Sequence, residues 1–515
     1  MKLAKLVEKL EVVELRVADP EVEITSVSHD SKKCGKGTLF VALKGTKRDG
    51  HEYIPEAIAN GADAVLCEHS LSLVDPKQKV ANIVRVADGR DSLAAAAAEI
   101  AGNPSKKLTV IGVTGTNGKT TVVSMLCHIL EGAGVPVVGL TTVGTLRGGV
   151  YTSESDLTTP DPVFLQHTFA KALADGVTHV VMEVSSHSLS QKRVAHTKFK
   201  AGAFTNLTED HLDFHGTMDA YFAAKAEFFK SYLVDPAGQY AVIWKDDPAG
   251  KKLASLSGAQ IITCSMEDRN ADICAEPMEL TPLGSRFEMA LDVSKISQVS
   301  SAWIPQTGRA VRTVGMRLPG TFNIANSLVA AGLALGQGVG IEQVAAGIES
   351  FPGVPGRLER IDEGQRFTVI VDYAHTPDAL ENVLRTLQQL RHQRGRVILV
   401  MGNGGDRDRD KRPLCGSIGA EMSHRFFVTT DNPRTEDPDA IIAGIVSGVK
   451  PPHKDRITVI PDRRKAIEAA ISIAGPEDIV LIAGKGHETY QIIGTQKFPF
   501  DDREVAREIL RGIQS

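Results

Sequence analysis

Val113-Thr114-Gly115-Thr116-Asn117-Gly118-Lys119-Thr120-Thr121 stands between an apolar, strand-like run (108–112) and a helix-like one (122–130). A phosphate cradle needs that context. Small residues let backbone N–H groups approach phosphate oxygens, and the helix N-terminus adds its positive end. Lys119 reaches the terminal phosphates, and Thr120 can ligate Mg²⁺. The usual formula places a glycine where this chain has Val113, with Gly112 and Gly115 beside it. A glycine-rich turn that binds nothing is the alternative. The strand before, the Lys-Thr-Thr after and the helix beyond favour ATP or GTP, in a divergent branch of P-loop proteins.

Outward from this loop, the 515 residues predict roughly three domains of ordinary size. The first, 1–105, alternates strands (38–43, 64–67, 82–86) with helices (54–60, 92–101) and ends in the turn-rich Gly102-Asn103-Pro104-Ser105. The second, 106–352, carries the phosphate loop. Its stretch 271–318 reads as short strands and loops, 294–308 as a polar surface excursion and 323–335 as a helix. The third, 353–515, alternates strands at 367–371, 396–401, 426–429, 457–460 and 479–483 with amphipathic segments. That pattern predicts a parallel, doubly wound, Rossmann-like sheet, so the chain is α/β throughout.

Each strand of the third domain runs into a polar or glycine-rich turn. In order these are Asp372-Tyr373-Ala374-His375-Thr376-Pro377, Asn403-Gly404-Gly405-Asp406-Arg407-Asp408, Asp431-Asn432-Pro433-Arg434, Asp462-Arg463 and Gly484-Lys485-Gly486-His487-Glu488. One such end is a turn with a helix cap. Five on one edge predict a ligand site, because open α/β sheets bind ligands at the carboxyl ends of their strands. In the second domain Glu183 closes the apolar run 178–182, from where a carboxylate can reach a metal beside the phosphate loop. His211, within Thr205-Asn206-Leu207-Thr208-Glu209-Asp210-His211-Leu212-Asp213, reads by itself as part of an acidic loop with a helix cap. Lys225 shares a helix with the apolar stripe Tyr221, Phe222, Phe228 and Phe229, and by itself reads as a solvated lysine.

A net charge of -5 and a pI near 6.3 speak against a nucleic-acid binder. Cys34, Cys67, Cys127, Cys264, Cys274 and Cys415 lack C-x-x-C spacing, which predicts reduced thiols rather than a disulfide or zinc framework. Residues 1–15 hold no signal-peptide core and no segment suits a bilayer, so a cytoplasmic enzyme without membrane partners is expected.

Several of these segments, taken in order, carry a resemblance. They are 114–121, Glu183-Val184-Ser185-Ser186-His187, and 205–216 leading to Tyr221-x-x-Ala224-Lys225. Gly320-x-Phe322-Asn323-x-x-Asn326, Pro355-Gly356-Arg357-Leu358-Glu359 and the five strand ends complete the set. Over essentially its whole length the chain resembles the Mur ligases, most closely those that add meso-diaminopimelate to UDP-N-acetylmuramoyl-L-alanyl-D-glutamate in peptidoglycan synthesis. The resemblance implies a monomeric ATP-dependent amide ligase with an N-terminal UDP-sugar domain, a central ATP domain and a C-terminal amino-acid domain. It implies ATP contacts from Gly115, Thr116, Asn117, Gly118, Lys119, Thr120, Thr121, Asn323, Asn326, Arg357 and Asp372. Lys119, Glu183, His211 and Lys225 would be catalytic, with Mg²⁺ held by Thr120, Glu183, His211 and a CO₂-derived carbamate on Lys225. The UDP substrate would meet Ser31, Asn117, Thr158, Thr159, Ser185, Gln191 and Arg193. The amine would meet Arg407, Asp431, Asn432, Arg434, Gly484 and Glu488.

The segment Asp431 to Arg434 resembles the form found in diaminopimelate-selective ligases. Arg434 can grip a distal carboxylate that lysine lacks, while Glu488 accepts the distal ammonium. The chain departs from the family pattern at Lys32, where arginine is usual, at Trp244, where asparagine is usual, and at Asn403, where cysteine is common. A lysine-adding Mur ligase or a folylpolyglutamate synthase would share the phosphate loop but not the 431–434 motif. A non-ligase P-loop ATPase would not need the substrate-binding strand ends, and an inactive relative would not need Lys119, Glu183, His211 and Lys225.

Overall fold

The computed structural model describes residues 1–45, 48–69, 82–152, 157–281, 283–292, 308–391 and 394–514. In the N-terminal domain the strands Ser26–Ser28, Thr38–Val41, Ala64–Cys67 and Asn82–Val86 run parallel, and Val12–Val17 closes the sheet antiparallel to the last. Residues 1–15 thus divide into a short helix, Leu3–Val7, and this edge strand.

The central domain is built on an 11-stranded sheet. The phosphate-loop strand Thr109–Thr114 lies at its heart, parallel to His179–Glu183 on one side and Ala201–Phe204 on the other. Pairing of Glu183 with Val113 puts that carboxylate level with the start of the loop. One face is covered by Lys119–Gly132, Thr321–Gly336 and Ile341–Ser350, whose Leu126, Ile129, Leu328 and Val344 are fully buried. The other is covered by Pro162–Ala174, Met218–Glu227 and the π-helical turn Phe228–Tyr232. The expected aromatic stripe anchors this face, since Tyr221, Phe228 and Phe229 are buried; each such ring contributes about 2–3 kcal/mol by leaving water.

The stretch expected as short strands and loops instead forms long antiparallel strands, Ile273–Thr281, Gly284–Asp292 and Arg309–Met316, that extend the sheet. Its apolar residues alternate with charged ones, as Phe287, Met289 and Leu291 do with Arg286 and Glu288, so no continuous apolar run marks it. The predicted excursion at 294–308 lies almost wholly outside the described residues.

The C-terminal sheet runs Glu359–Ile361, Thr368–Asp372, Ile479–Ala483, Val397–Met401, Arg425–Val428, Ile457–Val459, with all but the first parallel. The carboxyl ends of the parallel strands therefore share one edge. A small hairpin, Tyr490–Ile493 with Gln496–Pro499, folds over it through Arg434, whose N–H donates to Ile492 O at 3.1 Å.

Candidate active site

The phosphate loop is built around two glycines at positive φ, Gly115 (146°) and Gly118 (88°). A Cβ on Gly115 would collide with the Thr205 hydroxyl, and one on Gly118 with the Asn326 amide. Asn326 and Asn323, joined at 3.4 Å, therefore flank the loop from the helix Thr321–Gly336. Lys119 arches back over the loop, donating to the carbonyls of Gly115 (3.0 Å) and Thr116 (2.8 Å). Thr120 donates to Glu183 Oε1 at 2.8 Å, and the Thr142 N–H reaches the same oxygen at 2.9 Å.

Lys225 is 1% exposed, which overturns its reading as a solvated lysine. The face of Met218–Glu227 that carries Tyr221 turns onto the loop, so Lys225 Nζ donates to Gly115 O at 2.7 Å and lies 4.5 Å from the Tyr221 ring centre. Burial and the nearby Lys119 drive its amine well below the ordinary lysine range, opposed by Asp210. Lys119 is also lowered by burial, with Glu183 and Asp210 resisting. His211 caps the short helix Leu212–His215 with φ 55°, and Nε2 lies 3.5 Å from Asp210. Partial burial pushes it down to about 4, reinforced by His187, Lys119 and Lys225 and opposed by Asp210. His187, which closes the 183–187 motif but is given no role from sequence, stands edge-on to it at 4.7 Å.

Most of the residues expected at the UDP substrate form one bonded cluster. Thr159 donates to Glu183 O at 2.9 Å and accepts from Ser185 N at 3.0 Å. Arg193 donates to Thr159 O at 3.0 Å and Gln191 Oε1 at 2.6 Å, while Thr158 meets Thr142 at 3.3 Å. Ser31 is buried in the N-terminal domain and donates to Glu56 at 2.6 Å, and no hydrogen bond among the described residues joins it to that cluster. The two domains meet beside it, where Lys192 pairs with Asp88 at 2.9 Å and His196 with Asp91 at 3.0 Å.

Four of the five C-terminal strand ends converge. Asn432 donates to Glu488 at 2.8 Å, Arg434 to Gly405 O at 2.7 Å, and a Cβ on Gly484 would touch Asp431 Oδ2 at 3.0 Å. Arg407 is exposed at the rim of this edge. Lys485, given no role from sequence, is buried in the middle of the group. At the fifth end Asp462 caps its own helix, and Arg463 forms a fully buried pair with Asp502 at 2.6 Å that ties down the terminal helix while also donating to Ala483 O at 3.0 Å and Thr430 O at 3.4 Å. Of the pattern departures, Trp244 packs partly buried against the central core, Lys32 is exposed, and Asn403 bonds Cys415 Sγ at 3.8 Å.

The strand-end edge faces the phosphate loop. Asp378, in the first turn of Pro377–Leu390, accepts from Asn117 Nδ2 (3.1 Å) and Thr208 Oγ1 (2.9 Å). Lys411 pairs with Asp210 at 3.4 Å. Arg357 stacks 4.5 Å from the Tyr373 ring centre, and the neighbouring Leu358 N–H donates to the buried Asp372 at 2.7 Å. Neither Asp378 nor Lys411 is singled out by the sequence, because their partners lie in another domain. Away from this cleft, Asp49, His51 and His69 cluster in the N-terminal domain. His51 is already committed at both ring nitrogens, to Asp49 at 2.6 Å and the Glu68 N–H at 3.0 Å, which leaves it no lone pair for a metal.

Three α/β domains with a phosphate loop tied to the C-terminal strand ends through Asp378 and Lys411 form an arrangement suited to ATP-dependent ligation. The chain belongs to the Mur ligase family, since the family models match residues 23–102 (Mur ligase family, catalytic domain), 113–334 (Mur ligase middle domain) and 356–486 (Mur ligase, glutamate ligase domain). It is 41% identical over 512 residues, 99% of each chain, to the UDP-N-acetylmuramoyl-L-alanyl-D-glutamate--2,6-diaminopimelate ligase of Syntrophomonas wolfei subsp. wolfei. The enzyme of that name from Geobacillus kaustophilus is 41% identical over 492 residues, 95% of each chain. A solved structure of a ligase with the same name superposes with a TM-score of 0.68 at 30% identity, covering 100% of this chain and 99% of that one. A Mycobacterium tuberculosis folylpolyglutamate synthase, at 18% identity and TM-score 0.59 over 82% of this chain and 94% of its own, shares the fold.

Proposed function

We propose that this ligase joins meso-2,6-diaminopimelate to the D-glutamyl carboxylate of UDP-N-acetylmuramoyl-L-alanyl-D-glutamate, with conversion of ATP to ADP and phosphate, in peptidoglycan synthesis. The observation that carries the reading is the contact of Asp378 with Asn117 and Thr208, which brings the strand-end edge with its Arg434 and Glu488 to the phosphate loop. An amine held there meets an acyl group activated at the loop.

The substrate carboxylate attacks the γ-phosphorus, and the bond to ADP breaks, leaving an acyl phosphate. The amine nitrogen then attacks the carbonyl carbon, phosphate leaves with the bonding electrons, and the nitrogen loses a proton. Lys119 and the loop N–H groups offset the charge gathered when two anions meet, which is electrostatic stabilisation rather than covalent catalysis. Thr120 and Glu183, hard-oxygen donors 2.8 Å apart, suit Mg²⁺, which when bound would neutralise phosphate charge. Lys225 suits carbamylation, because a neutral amine can add to CO₂ and then release a proton, and the resulting anion would replace a base with a ligand. Asp378 and Lys411 hold the third domain against the loop, which limits water reaching the acyl phosphate. Six unpaired cysteines agree with a cytoplasmic site of action.

Phosphate release measured with ATP, the UDP-linked dipeptide and meso-diaminopimelate, L-lysine or no amine tests this reading. Release with diaminopimelate alone is expected. Release with lysine would overturn the amine assignment, and release without amine would overturn ligation.

A further inference from the structure

Lys485 is fully buried, with side-chain exposure of 0%. Its ammonium lies 3.1 Å from Glu488 Oε2, 3.2 Å from Asn432 Oδ1 and 3.6 Å from Asp431 Oδ1. A buried ammonium is costly unless carboxylates pair with it, and here there are two carboxylates for one cation. One basic side chain thus stands between two acidic ones. Asp431 Oδ1 is buried without a hydrogen-bond partner among the described residues, and Glu488 is 18% exposed on the open side. Among the other charged and titratable neighbours, Arg463 behind the cluster pairs with Asp502 and also feels Asp431 and Glu488, Tyr373 and Tyr490 are phenols, and Lys497 stands 4.2 Å over the Tyr490 ring. Lys485 also decides which way the Asn432 amide points. Asn432 Oδ1 accepts from Lys485 and from the Ile492 N–H at 2.9 Å, so its NH₂ must face Glu488, at 2.8 Å.

We propose that Lys485 is a positioning residue for amine binding: it orients Glu488 and Asn432 and leaves the carboxylate cluster short of one positive charge, so that the subsite takes a substrate end bearing a single ammonium, while the distal carboxylate is left to Arg434. This rests on the diaminopimelate reading above.

The test compares wild type, K485M, K485R and the double variant K485M/D431N, with ATP binding measured separately to verify the fold. In K485M the KM for meso-diaminopimelate rises about tenfold or more while the KM for ATP holds. The acid limb of kcat/KM for the amine moves to higher pH, because two carboxylates then face each other without a cation. In K485M/D431N, which restores one net negative charge, that limb returns toward the wild-type position while amine KM stays high. K485R keeps the charge but not the shape, so it raises amine KM without moving the limb. A purely structural role predicts lower stability with neither the KM split nor the moved limb. A wild type that uses meso-diaminopimelate beside a K485M variant, or beside a K485R variant where K485M fails to fold, with unchanged amine KM overturns this inference alone. A wild type indifferent to meso-diaminopimelate overturns the underlying reading with it.

Discussion

Lys225 and Lys485 are both withdrawn from water, yet their surroundings are opposite. Lys225 meets a carbonyl, an aromatic ring and a second lysine, and its amine is pushed toward the neutral form. Lys485 meets two carboxylates and an amide oxygen. Burial imposes a desolvation cost on every ion, and the partners around it decide how much of that cost is offset. One domain therefore drives a buried lysine toward the neutral form, while the other sets the same side chain between acidic partners.

The sharpest way to break that contrast is Lys225→Arg, which places a permanent cation there and cannot be carbamylated. Phosphate release should fall about 10³-fold, the scale of losing a central electrostatic group. Isotopically labelled carbon dioxide should appear on Lys225 of the wild type by carbon NMR. An active arginine variant would show that phosphate release does not need a carbamate at this position.

Next in size is Arg434→Ala on the other side of the cleft. It should raise the KM for meso-diaminopimelate about 10²-fold, as expected for loss of a two-pronged carboxylate contact, with ATP KM unchanged. An equal rise in both constants would show that the two sites are not separable.

Asp378→Ala probes what joins them. Losing its bonds to Asn117 and Thr208 should cost about 1 kcal/mol, seen as a roughly fivefold fall in kcat/KM for both ATP and amine. An effect on amine alone would mean that the contact belongs to the strand-end site.

A separate effect, on stability rather than rate, extends the Lys225 side of the contrast to a histidine. Burial, with Arg357 and Arg503 facing it, pushes His487 down from 6.5 to about 3. Below pH 6.5 the unfolded chain binds a proton that the folded chain does not, so stability is complete above that pH and declines as pH falls toward about 3. Denaturant midpoints at pH 7 and pH 5 should therefore draw closer in His487→Gln than in the wild type.

Much of this molecule is legible in its amino-acid order. The phosphate loop carries its own geometry, because glycines at positive φ, a helix start and a lysine lie within one contiguous run. The strands 64–67, 82–86 and 479–483 match their apolar runs to the residue, since short apolar runs bounded by turns encode a buried strand locally. The antiparallel extension Gly284–Asp292 escapes such a reading because its alternating charges hide the apolar face until a helix covers it.

What the sequence by itself determined was the class of fold, the phosphate loop and the family resemblance. Only the tertiary structure decided that Lys225 is buried, that Arg463 belongs to a structural pair, that Lys485 stands between Asp431 and Glu488, and that Asp378 reaches Asn117. The physical reason is range. Turn conformation, helix starts and burial periodicity are written in neighbouring residues, whereas the charge state and role of a side chain depend on partners brought from distant strands and another domain.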